Sequence, residues 1–417
     1  MPATPNRFRP ILISAAAGVS VLFGAVPATL ASARSRSMEP AAPARTGDWV
    51  LETAASADVI IRGRVVEQAV HWDESRTSIV TDNIITVNSV VAGELPAGAP
   101  VAVRTLGGEL RAEGIALGVT HEAQLALDEE VTLPLDQDDA ATPYRVVGGE
   151  RGNPTDDRGY AYSEALHSWL PEAELIPALS GQADEAVTAI TEIEQKITRL
   201  PSPEGVETHV NTGIRWPGDA PTVSFVLNIN SSQVGGEDGD QAAFQAAVLD
   251  AAADWTAVSS ADFTFAYAGP TTATDVEASN GINEVIFVTA GRSGTLVRTR
   301  FWYNPTTQLV SEADVWFNDS YDFDATGSPQ GGEIDLQSVA LHEFGHWFVL
   351  GHDDNAAAVM YYAISGGSVK RTLHPSDIAG ISEIYPCENQ PCGGAIEPPV
   401  PPEPTEEPTE EPTEEPT

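Results

Sequence analysis

The sequence has little cysteine, little histidine and little positive charge. Its 417 residues include two cysteines, eight histidines and 21 Lys and Arg against 61 Asp and Glu, for a formal net charge of −40. Such an acidic chain repels nucleic acid and anionic membrane surfaces, so we predict neither as a partner. The length leaves room for two or three domains and a sizeable core.

Long apolar runs are also scarce, and the one candidate lies at the N-terminus. Arg7 and Arg9 precede an apolar stretch at 11–30, and Ala31-Ser32-Ala33 follows as a small-x-small cleavage site. This pattern predicts a cleaved secretory signal peptide at 1–33, with an uncleaved membrane anchor as the alternative. After cleavage we expect no membrane insertion, because no later segment is apolar enough to cross a bilayer.

The two cysteines, Cys387 and Cys392, are separated by four residues. In an exported protein such a pair predicts a disulfide that closes a small loop. Metal binding is the alternative, but a cysteine pair alone is a poor zinc site.

Composition divides the chain into segments. After the signal peptide we predict a flexible leader at 34–47, a small β domain at 48–149, a linker with an amphipathic helix at 150–206, an α+β domain at 207–386, a Cys-pair loop at 387–396 and a disordered Pro/Thr/Glu-rich tail at 397–417. The tail is typical of an extended, solvated stalk, compatible with association with a cell wall.

The predicted β domain shows about five short apolar and β-branched runs separated by Gly, Pro and Asp. They begin at Val59, Ser78, Val101, Val131 and Tyr144. This pattern favours a small antiparallel barrel or sandwich. It contains no catalytic constellation, and we interpret both of its histidines, at positions 71 and 121, as surface residues.

Three of the eight histidines fall within the eleven residues 342–352. On an α-helix His342 and His346 lie about 40° apart on one face, where one zinc ion can take both. Glu343 lies between them, placed to act as a general base. His352 can be the third ligand only if the helix ends first and the chain turns sharply back. The bland alternative is a buried helix with ordinary core histidines.

This string resembles the zinc signature of the metzincins, His-Glu-x-x-His-x-x-Gly-x-x-His. Val359-Met360-Tyr361 is similar to the Met-turn of that clan, and Leu373–Tyr385 resembles the last helix of its matrixin branch. Three further stretches are matrixin-like: Arg215-Trp216-Pro217-Gly218-Asp219, the predicted helix Phe244–Trp255 and Glu312–Asn318. The resemblance covers about 207–386 and implies a mixed twisted sheet with three helices, preceded here by the small all-β domain.

The resemblance implies a secreted zinc metalloendopeptidase, active for example in an extracellular matrix. His342, His346 and His352 would hold one catalytic zinc. Glu343 would take a proton from a zinc-activated water and pass it to the leaving amine.

It also implies the neighbouring roles. Met360 would form a floor beneath the metal, and Tyr362 stands where some metzincins place a tyrosine near it. A protein or peptide substrate would pair with the edge strand at 295–300.

Two departures from the family pattern matter. Position 349 is Val where the family has the Gly that ends the helix in a left-handed turn, which a β-branched residue adopts only at a cost. Gly351 is the alternative place for the bend. Matrixin pro-regions carry a cysteine that caps the zinc, but no cysteine precedes Cys387 here, so that device cannot operate in this chain.

Two alternatives stay open at this stage. Asp319, Asp322 and Asp324 suit calcium in chemistry, although their spacing does not match an EF-hand and a solvated acidic loop explains them too. The alternative function is a catalytically weakened metzincin-fold module that binds at a surface, suggested by Val349 and by the stalk-like tail.

Overall fold

The computed structural model describes residues 57–147 and 212–387, with short gaps, and the backbone of two short strands between them. The predicted signal peptide, leader, linker helix and tail lie outside the described residues. No helix in the described part of the chain is both long enough and apolar enough to cross a membrane.

Seven strands form the part that we call the N-terminal β segment, residues 57–147. They are β1 (Val59–Trp72), β2 (Ile79–Ala92), β3 (Pro100–Leu106), β4 (Gly108–Leu110), β5 (Ile115–Val119), β6 (Glu130–Asp136) and β7 (Arg145–Val146). Five of them form an antiparallel sheet in the order β3-β2-β1-β6-β7. One face is apolar because alternate residues point to the same side, with Ile61, Val65 and Leu133 among those fully buried.

A second sheet has seven strands in the order β11-β10-β12-β14-β13-β5-β4. Its further strands are β10 (Thr222–Leu227), β11 (Thr264–Pro270), β12 (Glu284–Val288), β13 (Val297–Asn304) and β14 (Leu309–Asn318). Four neighbours, β11, β10, β12 and β14, run parallel, whereas β13 is antiparallel to both β14 and β5. The sheet is therefore mixed, as predicted, but β4 and β5 of the N-terminal β segment belong to it. A separate barrel or sandwich before 207 is not confirmed.

Short strand pairs complete the β structure. They are β8 (Tyr160–Ser163) with β9 (Ser168–Pro171), and β15 (Phe323–Asp324) with β16 (Ile334–Asp335).

Three helices accompany the mixed sheet: α1 (Gln241–Thr256), α2 (Leu336–Trp347) and α3 (Pro375–Ile384). Helices α1 and α2 pack together, and Trp255 Nε1 donates to the carbonyl oxygen of Leu341 at 2.7 Å. The core between helices and sheet is strongly aromatic, with Phe263, Phe265 and Phe348 almost fully buried. This core surrounds α2 so closely that all twelve of its residues are buried.

Candidate metal centre and catalytic residues

Helix α2 positions His342, Glu343 and His346. It begins at the N-cap Asp335, whose side chain accepts a hydrogen bond from Ser338 N at 3.0 Å. Arg371 holds the same buried carboxylate through an ion pair. The start of the helix is thus fixed, and its 3.6-residue period places the two histidines one turn apart on one side.

The helix ends in a Schellman motif at Val349. The C-cap is Phe348; Val349 N donates to His346 O at 2.9 Å and Leu350 N to Gly345 O at 3.4 Å. Val349 itself takes the left-handed conformation, with φ 60°, so Gly351 does not absorb the bend. The turn brings the chain back to His352, as the signature predicts.

The three histidines converge through their Nε2 atoms. The distance is 3.0 Å between His342 and His346 and 3.2 Å from each of these to His352. His342 Nδ1 lies 2.8 Å from Val359 O, and His346 Nδ1 lies 2.8 Å from Leu350 O. A carbonyl accepts, so both Nδ1 atoms carry the proton and both Nε2 lone pairs face the cluster.

Converging lone pairs repel one another unless a cation lies between them. Nitrogens bound to a tetrahedral zinc lie about 3.3 Å apart, given Zn–N bonds of about 2.05 Å, so the cluster fits this ion. Burial lowers the pKa of His342 to about 3 and that of His346 well below its usual value, so both imidazoles are neutral, as metal ligands must be.

Glu343 lies beside this cluster and is 1% exposed. One carboxylate oxygen accepts from Thr299 Oγ1 at 2.6 Å, and the other lies 3.2 Å from His121 Nε2. Burial alone would raise the pKa of Glu343, but His121 foremost, together with His342 and Thr299, holds it below its usual value. The carboxylate is therefore available as a proton acceptor.

His121 is not an ordinary surface residue, and that interpretation was wrong. It lies in the N-terminal β segment, separated from the end of β5 by Thr120, and its ligand nitrogen lies within 4.8 Å of those of His342, His346 and His352. His121 is 222 residues from Glu343 along the chain, and no local spacing links them. The one signal in the sequence is an apolar run at 115–119 just before a histidine. His71, in contrast, is half-exposed and pairs with Asp82.

The predicted Met-turn lies directly beneath α2. Met360 is 2% exposed, and a Cβ placed on Gly345 would lie 2.2 Å from its sulfur, so only glycine leaves room there. Asp377 of α3 accepts hydrogen bonds from Val359 N at 2.9 Å and from Met360 N at 3.1 Å. Since Val359 O orients His342, this buried carboxylate supports the metal centre indirectly.

Nothing in the arrangement supports the calcium site considered at Asp319, Asp322 and Asp324. The Asp319 carboxylate accepts a hydrogen bond from Ser231 Oγ. The Asp324 carboxylate accepts hydrogen bonds from its own loop, including the amides of residues 327 and 328. Within the part of the chain that the structure describes, the histidine cluster is the group whose ligand atoms converge for a metal.

Two further candidates fall partly outside the described residues. Tyr362 lies in one of the gaps. Cys387 is disulfide-bonded, while Cys392 is not described.

The edge strand predicted at 295–300 corresponds to β13, but its edge is already paired. Its residues Arg300 to Tyr303 face Val119 to Ala116 of β5 in antiparallel register. Beyond them, Thr120 N donates to Thr299 O at 2.9 Å. In this state a substrate cannot pair with β13 at these positions.

Comparison with known proteins points to one family. The matrixin family model matches residues 223–386. Metalloendoproteinase 5-MMP of Arabidopsis thaliana is 36% identical over 109 residues, which are 26% of this chain and 30% of that protein. Metalloendoproteinase 1 of Glycine max is 44% identical over 62 residues, 15% of this chain and 20% of that protein.

A third relative, matrix metalloproteinase-19 of Homo sapiens, is 28% identical over 256 residues, 58% of this chain and 45% of that protein. The matches therefore span less than half the length of these relatives. Together with the mixed sheet, the three helices and the histidine cluster, they identify residues 223–386 as a matrixin-like metzincin domain.

Proposed function

We propose that this chain is a secreted zinc-dependent endopeptidase. The observation that carries the proposal is the convergence of three histidine Nε2 atoms at 3.0–3.2 Å beside the buried carboxylate of Glu343. His342, His346 and His352 would hold the zinc. When bound, the ion polarises a peptide carbonyl and makes water a stronger acid.

The chain's own residues supply the remaining chemistry. Glu343 takes a proton from the attacking water and delivers it to the leaving amine. Thr299 Oγ1, 2.6 Å from the carboxylate, holds the side chain in place. The adjoining strand β13 offers backbone groups with which an extended peptide can pair once its edge is open.

Secretion and the substrate class are part of the proposal. The N-terminal pattern supports export, and the relatives named metalloendoproteinases support a peptide or protein substrate. The Pro/Thr/Glu-rich composition of the tail supports attachment to a cell wall as part of the same proposal.

Val349 and the stalk-like tail suggest the alternative function, a weakened binding module. Because Val349 adopts the left-handed turn itself, His352 still lies 3.2 Å from both other ligands. This geometry favours the peptidase over the binding module.

The test is metal analysis combined with a protein-cleavage assay on the full chain and on Glu343→Gln. We expect about one zinc per chain in both proteins, and a loss of cleavage of at least about 100-fold in the variant. Because β5 covers β13, each assay is run before and after brief trypsin treatment. Trypsin can cut between the N-terminal β segment and the matrixin-like domain at Arg151, Arg158, Lys196 and Arg199.

Exposed Glu67, changed to Gln, is the matched control and should leave cleavage intact. Cleavage that survives Glu343→Gln would refute the mechanism.

A further inference from the structure

We propose that the N-terminal β segment inhibits the proposed peptidase, with β5 in the substrate's place and His121 as a fourth metal ligand. The inference rests on the proposed function, since it assigns a state of the same site. His121 would take the position that a capping cysteine has in matrixin pro-regions. This chain has no cysteine before position 387.

The first step is competition for one strand edge. Strand β13 has two edges; β14 pairs with one and β5 with the other. Thr120 extends the pairing, since its hydroxyl accepts from Thr299 N at 2.9 Å. A peptide cannot use the same backbone groups while β5 is bound, so β5 and substrate exclude one another.

The second step is the fit of β5 on β13. A Cβ on Gly118 would lie 2.1 Å from the ring of Phe301, so glycine alone allows this close approach. Trp302 is fully buried in a cluster with Ile79, Leu117 and Val119, all from the N-terminal β segment. This is a packed interface with its own apolar centre.

Polar contacts flank that centre. Arg298 pairs with Glu122 at 3.4 Å, and Tyr303 donates to Glu109 at 3.0 Å. Contacts on both sides of His121 therefore hold its backbone in register with the metal centre.

The third step is the position of His121. Its Nε2 lies 3.2 Å from Glu343, while its ligand nitrogen lies within 4.8 Å of the ligand atoms of all three motif histidines. A water that is both polarised by the metal and deprotonated by Glu343 must occupy this same space. The imidazole thus takes the place of the attacking water.

The backbone at His121 is also unusual, with φ 57°. A non-glycine residue in this region costs free energy and persists where surrounding contacts impose it. Here the turn directs the imidazole from the end of β5 toward the metal centre.

The test compares the full chain with its His121→Gly variant, because glycine accepts the left-handed turn and removes only the imidazole. X-ray absorption on the zinc-loaded proteins counts the imidazoles bound to zinc. We expect four in the parent and three in the variant.

A second readout uses cobalt-loaded protein and acetohydroxamate. A cleft of about 690 Å³, lined by His346 and His352, admits small molecules beside the metal centre. Failure of the parent to bind acetohydroxamate would then reflect an occupied coordination position. We expect at least about 10-fold tighter acetohydroxamate binding in His121→Gly than in the parent.

Two further variants complete the design. Gly118→Ala, which pushes β5 away from Phe301, should shift acetohydroxamate binding in the same direction. Arg76→Gly changes another left-handed residue of the N-terminal β segment and should behave as the parent.

Three imidazoles in the parent, with equal acetohydroxamate binding in parent and His121→Gly, would overturn the inference and leave the proposed function standing. Absence of bound zinc from both proteins would overturn both.

Discussion

Val349 shows how a single residue can break a local preference without losing the site. Its left-handed backbone costs about 1–2 kcal/mol relative to a right-handed one. Its side chain, however, is 8% exposed and packs in the main core, and burying a valine contributes about 1.5–3 kcal/mol. Burial therefore offsets the strain at the helix end.

We accordingly predict that Val349→Gly, although it restores the family residue, lowers the free energy of unfolding by about 1–2 kcal/mol. Zinc affinity should stay within about threefold, because the ligands already converge. Chemical denaturation and a zinc competition assay measure the two effects. The same change at exposed Gln308, also left-handed, is the control and should be neutral or stabilising. A large gain in zinc affinity in Val349→Gly would contradict this account.

Among the elements, α2 depends on close contact with the Met-turn. In Gly345→Ala the new methyl would lie 2.2 Å from the sulfur of Met360 and 3.0 Å from Trp255. We predict that Gly345→Ala lowers the free energy of unfolding by about 1–3 kcal/mol, as in other overpacked cores; chemical denaturation measures this. A second change, Met360→Ala, should recover part of the loss in the double variant. A Cβ on Gly332 would meet no atom within 4 Å, so Gly332→Ala should leave the free energy of unfolding unchanged. An equal decrease in both glycine variants would refute the packing argument.

The mixed sheet contains three buried carboxylates, of Glu284, Glu312 and Asp314. Burial, together with repulsion from Glu312 and Glu284, raises the pKa of Asp314 to about 9. In the unfolded chain the carboxyl of Asp314 ionises near its ordinary pKa. The stability that protonated Asp314 contributes to the fold is therefore complete at low pH. It is lost as pH rises toward 9.

Asp314→Asn removes this dependence because asparagine stays neutral. We predict that the melting temperature of the variant gains on the parent between pH 5 and pH 8, by roughly 5 °C. Thermal unfolding at several pH values measures the gain. Asp324→Asn is the control, since its loop lowers rather than raises the pKa of that carboxyl. If the melting temperature of Asp314→Asn relative to the parent instead fell as the pH rose, the assigned direction of the pKa shift would be wrong.

The elements also show what the sequence could and could not reveal. Helix period and the signature predicted α2 and the convergence of His342, His346 and His352, because those residues are close along the chain. The strands β1, β2, β3, β6 and β7 coincide with the predicted apolar runs. The pairing of β5 with β13 joins residues about 180 positions apart, and the five-residue β5 contains Gly118. Neither local pattern nor spacing reports such a contact, so His121 was misinterpreted with it.

At the scale of the whole molecule, the N-terminal β segment and the matrixin-like domain share one sheet. The shared strands are held together by Trp302, a residue of β13 that is fully buried against Ile79, Leu117 and Val119. Its neighbours Phe301 and Tyr303 pack in the main core of the domain. Alternation along β13 therefore directs Trp302 to the N-terminal β segment alone.

We predict that Trp302→Ala weakens the packing of the N-terminal β segment on β13 and leaves the candidate metal centre intact. Loss of so large a buried side chain costs about 3–5 kcal/mol, and here the cost falls on the shared interface. The N-terminal β segment should become more sensitive to limited proteolysis, while the zinc content stays at the parental value. Gel analysis of timed digests and metal analysis of the same samples measure both.

Trp316 of β14 is the matched control for this change. It is half-buried, and Arg298 lies over its ring at 5.6 Å, so its truncation leaves the Trp302 cluster intact. Trp316→Ala should therefore digest more slowly than Trp302→Ala. Loss of zinc in Trp302→Ala, or equal digestion of the two variants, would mean that Trp302 supports the domain itself. The expected result, faster digestion with zinc retained, follows if the N-terminal β segment packs on β13 as a separable part.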